Sequence, residues 1–141
     1  MTPAELYKGV LMDHYWHPRN QQRVEGADAI GCSFNPLCGD EVEVGVDFRD
    51  GLLEQVRFWG RGCSLCVASA SMMTETVTGK SRAEALRLSA TLRQWFTGDP
   101  ETPVPDLPGP LTALSAAREL PARRRCVLLA WEALDDALAS R

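Results

Sequence analysis

The stretch Asn35-Pro36-Leu37-Cys38-Gly39-Asp40, with the run Glu41-Val42-Glu43-Val44-Gly45-Val46-Asp47-Phe48 that follows it, decides how the chain folds. Asn35-Pro36 interrupts what comes before, and Gly39 supplies the backbone freedom of a tight turn. Cys38 and Asp40 flank that glycine, so both side chains can point at one spot. Val42, Val44, Val46 and Phe48 then alternate with Glu41, Glu43, Gly45 and Asp47, the period of a half-buried strand. Asp50-Gly51 is a two-residue hairpin signal. It predicts a return strand from Leu52 to about Trp59, with Leu52, Val56 and Phe58 on one face, stopped by Gly60-Arg61-Gly62. Upstream, residues 26–34 alternate weakly and give a first strand, with Cys32 expected to face the core. Antiparallel pairing of consecutive strands makes a meander and brings the Cys38 turn and Cys63 to the same end of the sheet.

Helical spacing surrounds this sheet. Pro3 to about His14 reads as a helix, with Leu6, Val10 and Leu11 on one stripe and Pro18 beyond its end. His14 and His17, near that end, read as solvated or capping residues in preference to metal ligands. Ser64 to about Thr78 predicts a second helix buried through Leu65, Ala68, Met72 and Met73, with Cys63 at its N-terminus, where open backbone N–H groups favour a thiolate. Ser81-Arg82-Ala83-Glu84 is a capping box opening a helix to about Ala90, followed by a short helical piece at 91–96. Five of the nine prolines fall in residues 98–110, the pattern of an irregular surface insertion within a single domain spanning residues 1–141. Residues 111–118 read as one more short helix. Pro121 suits the first turn of a last helix striped by Val127, Ala130, Trp131, Leu134 and Leu138.

Composition excludes several classes of function. The net charge of −4 over 141 residues leaves no basic surplus for general nucleic-acid binding. No apolar run has the length of a membrane span, and the N-terminus lacks a basic-then-apolar signal pattern, so a cytoplasmic location is expected. Five cysteines in that reducing setting point to metal or sulfur chemistry in preference to a disulfide framework.

Cys126 falls early in the last helix, directly after Arg123-Arg124-Arg125, another setting that favours a thiolate. Cys38, Cys63 and Cys126 with Asp40 would supply three sulfurs and an oxygen, a donor set for tetrahedral zinc or for part of an iron–sulfur cluster. Spacing alone leaves this balanced against three buried structural cysteines.

Three motifs resolve that balance by resemblance. Asn35-Pro36-Leu37-Cys38-Gly39-Asp40, then Gly60-Arg61-Gly62-Cys63 with Ala68-Ser69-Ala70-Ser71-Met72-Met73-Thr74-Glu75, then Arg125-Cys126-Val127-Leu128-Leu129-Ala130-Trp131-Glu132 resemble the cysteine motifs of the IscU/SufU family of iron–sulfur cluster assembly proteins. Asp13-His14-Tyr15 and Pro18-Arg19-Asn20 resemble its N-terminal signature. Arg125 stands where IscU-type scaffolds carry a ligating histidine. A guanidinium cannot bind a metal. With the insertion, this favours the SufU-like branch.

The resemblance implies an α+β fold, a three-stranded antiparallel sheet with helices on one face. It implies zinc held by Cys38, Asp40, Cys63 and Cys126, and at most a zinc-dependent sulfurtransferase activity beside a SufS-like cysteine desulfurase, with other iron–sulfur assembly proteins as downstream acceptors. A histidine of the desulfurase would exchange onto the zinc and release Cys126, which would take the persulfide sulfur. Arg125 is a candidate stabiliser of that anionic sulfur. The alternatives are an IscU-type scaffold that assembles and hands on a cluster, and a structural zinc domain, against which the carboxylate in the ligand set argues. Cys66 departs from the family pattern. It is expected to pack in the helix interface, with a substitute-ligand or resolving-thiol role as the alternative.

Overall fold

The computed structural model describes residues 3–37, 39–99, 101, 103–118 and 120–140. The expectations placed on Cys38, on Pro100 and on the Leu6 side chain lie outside the described residues. Helix α1 (Pro3–Trp16) precedes the meander β1 (Ala29–Asn35), β2 (Asp40–Arg49) and β3 (Leu52–Arg61), all antiparallel in the order β1-β2-β3. Helices α2 (Ser64–Val77) and α3 (Arg82–Thr97), a 3-10 turn (Gly109–Leu114), α4 (Ser115–Arg118) and α5 (Pro121–Ala139) complete the chain. The architecture is the α+β one expected.

Turn chemistry explains the meander. Asn35 folds the first turn on itself: its backbone O accepts from Gly39 N at 2.8 Å and its side-chain Oδ1 from Leu37 N at 3.1 Å. Gly39 adopts φ 75°, a left-handed conformation natural to glycine. Asp50 and Gly51, at φ 55° and 78°, form the mirror-image turn that matches strand twist. A register shift falls just beyond, since Asp47 pairs with Gln55 but Phe48 with Leu53. The extra residue, Glu54, reverses the alternation at the start of β3. Leu53 is therefore buried, and Leu52, expected on the core face, is 43% exposed.

One sheet face carries α5 on β1 and β2, with α2 against β3 and α5. Val42, Val44, Val46, Val56 and Phe58 meet Met72, Met73 and Trp131 in a continuous core. The opposite face is partly covered by residues 22–28. Arg57 ties them down, donating Nε to Arg23 O at 2.9 Å while its NH1 pairs with Asp47 at 2.8 Å. Cys32 is exposed on that opposite face, a correction to its expected core placement. In β1 it is Gly31 that turns to the helices, so its neighbour points away.

Three other expectations change. The first strand begins at Ala29, because Gly26 (φ 86°) is still in a turn. Helix α3 opens on the expected capping box but runs unbroken through Ala90, since Leu92, Trp95 and Phe96 extend its buried stripe. Residues 111–118 split between the 3-10 turn and α4, with Leu111 and Leu114 buried.

Candidate metal centre

The site lies where the turn end of the sheet meets the starts of two helices. Asp40 is the first residue of β2 and is buried. Cys63 is the N-cap of α2, in extended conformation. Cys126 lies in the second turn of α5 and is buried. One ligand atom from each of Asp40, Cys63 and Cys126 lies within 4.8 Å of the others. Tetrahedral zinc with Zn–S of about 2.3 Å and Zn–O of about 2.1 Å separates its ligand atoms by about 3.5–3.8 Å. Small side-chain rotations would close this set around such an ion. Two thiols and a carboxylate are donors that fit zinc or an iron–sulfur cluster. Cys63 N–H also donates to Asp40 Oδ2 at 3.4 Å, which holds the carboxylate against the start of α2. Leu37 and Gly39, which bracket Cys38, belong to the turn at this same end.

The arginine at these sulfurs is Arg123, not Arg125. The charges of Cys63, foremost, and of Cys126 raise the Arg123 guanidinium above its ordinary pKa, which sets Arg123 beside both sulfurs. The reason is helical phase: Arg123 precedes Cys126 by three residues and shares its face, whereas an adjacent residue projects about 100° away. Arg125 instead pairs with Glu132 on the exposed side of α5, and Glu132 Oε2 accepts from Ser33 Oγ at 3.0 Å. The three-residue interval to Cys126 was the sequence signal for Arg123. Arg124 Nε donates to Arg118 O at 2.7 Å and ties α5 to α4.

Neither histidine joins the group. His14 is buried, correcting the solvated role expected for it, with Nδ1 2.8 Å from Ser71 Oγ. Burial, and then the charge of Arg19, lowers its pKa. Arg19 N donates to Ser71 Oγ at 2.9 Å and Asn20 Nδ2 to Thr74 Oγ1 at 3.0 Å. The N-terminal signature thus serves as a clasp on α2. His17 is exposed. Cys66 is buried in the core, beneath Gly62.

Residues 6–104 match the NifU-like N terminal domain family. The chain belongs to this family. The match stops short of α5, but relatives align across the third cysteine as well. The chain is 36% identical over 134 residues to the zinc-dependent sulfurtransferase SufU of Bacillus subtilis, covering 95% of this chain and 90% of that one. It is also 36% identical over 133 residues to the iron-sulfur cluster assembly scaffold protein IscU of Streptococcus pyogenes, covering 94% and 82%. The crystal structure of a putative iron-sulfur cluster assembly scaffold protein for the SUF system from Fervidobacterium islandicum superposes with a TM-score of 0.84 at 28% identity, over 97% of this chain and 99% of that one. A NifU-like protein from Brucella abortus shares the fold at a TM-score of 0.80, over 96% of this chain and 93% of that one, with 23% identity. Among the described residues no helix is long and apolar enough to cross a membrane.

Proposed function

We propose that this family member is a zinc-dependent sulfur acceptor in iron–sulfur cluster assembly, taking persulfide sulfur from a SufS-like cysteine desulfurase. The observation that carries the proposal is the convergence of Asp40, Cys63 and Cys126 with Arg123 at the two sulfurs. Cys38, Asp40, Cys63 and Cys126 would hold the metal. Bound zinc would supply a Lewis acid that keeps its thiol ligands deprotonated. The chain's own part is to position the nucleophile. The Cys126 thiolate attacks the outer sulfur of the partner's persulfide. A new S–S bond forms on Cys126, the partner's S–S bond breaks, and its cysteine leaves as thiolate. Arg123, beside Cys126, would steady the anionic sulfur before and after transfer. We place this chemistry in the cytoplasm, where thiols remain reduced, and read residues 98–110 as a proline-rich insertion within one domain.

The test is mass spectrometry of the zinc-loaded protein after incubation with desulfurase and cysteine. One added sulfur on the Cys126 peptide is expected, together with a Cys126→Ser variant that binds the desulfurase but no longer stimulates it. Sulfur confined to the Cys38 or Cys63 peptide would move the acceptor to that residue. A scaffold reading has support in the IscU name of the Streptococcus relative. An iron–sulfur chromophore forming on the protein, with no persulfide on any cysteine, would establish the scaffold in its place.

A further inference from the structure

Cys63 and Cys66 are the N-cap and third residues of α2, as Ser81 and Glu84 are of α3. The two N-caps share a backbone conformation, φ −68° and ψ 172° at Cys63 against φ −73° and ψ 163° at Ser81. In α3 that conformation brings the pair together. Ser81 Oγ accepts from Glu84 N at 3.2 Å, and the Glu84 carboxylate reaches back to Ser81 N at 3.1 Å. In α2 the Cys63 side chain makes no capping bond, because its sulfur turns toward Asp40 and Cys126. Cys66 lies directly behind the site. A Cβ built on Gly62 would stand 2.6 Å from Cys66 Sγ and 3.4 Å from Asp40 Cγ. Only the absence of a side chain at Gly62 lets the second sulfur sit there.

We propose that Cys63 and Cys66 form a dithiol that closes to a disulfide and thereby removes Cys63 from the ligand set. This rests on the metal reading above. The co-reactant is a low-molecular-weight disulfide. Cys63, half-buried at the helix start, is the thiol it can reach, whereas Cys66 is 1% exposed. The Cys63 thiolate attacks one sulfur of the disulfide, forming a mixed disulfide and expelling one thiolate. Cys66, as thiolate, then attacks the Cys63 sulfur and expels the second. The protein dithiol is oxidised by two electrons and the small disulfide is reduced to two thiols. A rotation of the N-cap side chain from the metal side to the helix side, where Ser81 Oγ already lies in α3, turns the Cys63 sulfur toward Cys66. None of the described cysteines is in a disulfide.

The experiment titrates the zinc-loaded full chain, in a Cys32→Ser background that removes the exposed thiol of β1, with oxidised glutathione. Released zinc is read with a chromogenic chelator and disulfides by peptide mapping. Expected are a Cys63–Cys66 linkage forming in step with zinc release, reversal of both by reductant, and about tenfold more oxidant needed for release from Cys66→Ala, which lacks the intramolecular second step. A stable glutathione adduct on Cys63 with Cys66 still alkylatable, or a linkage from Cys63 to Cys38 or Cys126, overturns the proposal. Mapping on the unmodified Cys66 chain decides even if Cys66→Ala fails to fold. A Cys63–Cys66 linkage in protein that never carries zinc would dismiss the metal reading and leave the dithiol standing.

Discussion

Gly31 and Ala137 are in backbone contact: a Cβ at position 31 would lie 2.2 Å from Ala137 N and equally close to Ala133 O. This is the approach that seats α5 on β1 and carries Cys126, at the other end of the helix, to Asp40 and Cys63. Gly31→Val should force the helix off the strand. We expect a loss of about 1–3 kcal/mol in urea unfolding, with weaker zinc retention against a chelator. Unchanged zinc retention in a folded Gly31→Val protein would mean that α5 is held in place by other contacts.

Arg123→Ala and Arg125→Ala should separate. The first removes the guanidinium at Cys63 and Cys126, and slower sulfur loading on the acceptor is expected in a desulfurase assay. The second loses an exposed pair with Glu132, which contributes little, about 0–1 kcal/mol. Its sulfur loading should match the parent protein. Equal defects in the two variants would point to general positive charge as the cause.

Ser69 bridges the two helices that carry the thiols. Its Oγ donates to Val127 O at 2.7 Å and accepts from the fully buried Trp131 Nε1 at 3.1 Å. Ser69→Ala leaves a buried indole N–H without this acceptor. Destabilisation of about 1–3 kcal/mol is expected from denaturant unfolding monitored by tryptophan fluorescence. A change below the resolution of that measurement would show that water replaces the hydroxyl.

The clasp at His14 predicts a pH dependence of stability. The folded pKa lies below the ordinary value of 6.5, chiefly through burial, then through Arg19, with Glu75 and Asp13 acting in the opposite sense. Below about pH 6.5 the unfolded chain therefore binds a proton that the folded chain does not. The contribution is complete above 6.5 and is lost as the pH falls from there toward the lower folded pKa. In metal-stripped protein the urea midpoint should decline between pH 7.5 and 5.5. His14→Asn, whose amide can still meet Ser71, should flatten that decline. An equally steep slope in the variant would assign the dependence to other groups.

The meander was legible because its signals are local. Alternating valines in 42–46 and the Asp50-Gly51 turn depend on residues a few positions apart. The capping box at Ser81 and Glu84 is local in the same way. The Glu54 bulge was not legible, because a shift of register is settled by which leucine the core accepts, and Leu53 is chosen over Leu52 by packing. The helix break expected near Ala90 failed for a related reason: tertiary burial of Leu92, Trp95 and Phe96 outweighs local propensity.

The chemical character of the candidate site was readable in the chain, since its candidate donor atoms belong to Asp40, Cys63 and Cys126 wherever they fall, and the motifs around them pointed to the family. Tertiary structure alone decided which charge attends them. Helical phase sends Arg123 to the sulfurs and Arg125 to Glu132, an outcome adjacency in the chain cannot predict. It also decided that Cys32 faces outward while Cys66 lies behind Gly62 at the site. Burial and proximity arise from how strands and helices pack against one another, and that information is distributed over residues distant in sequence.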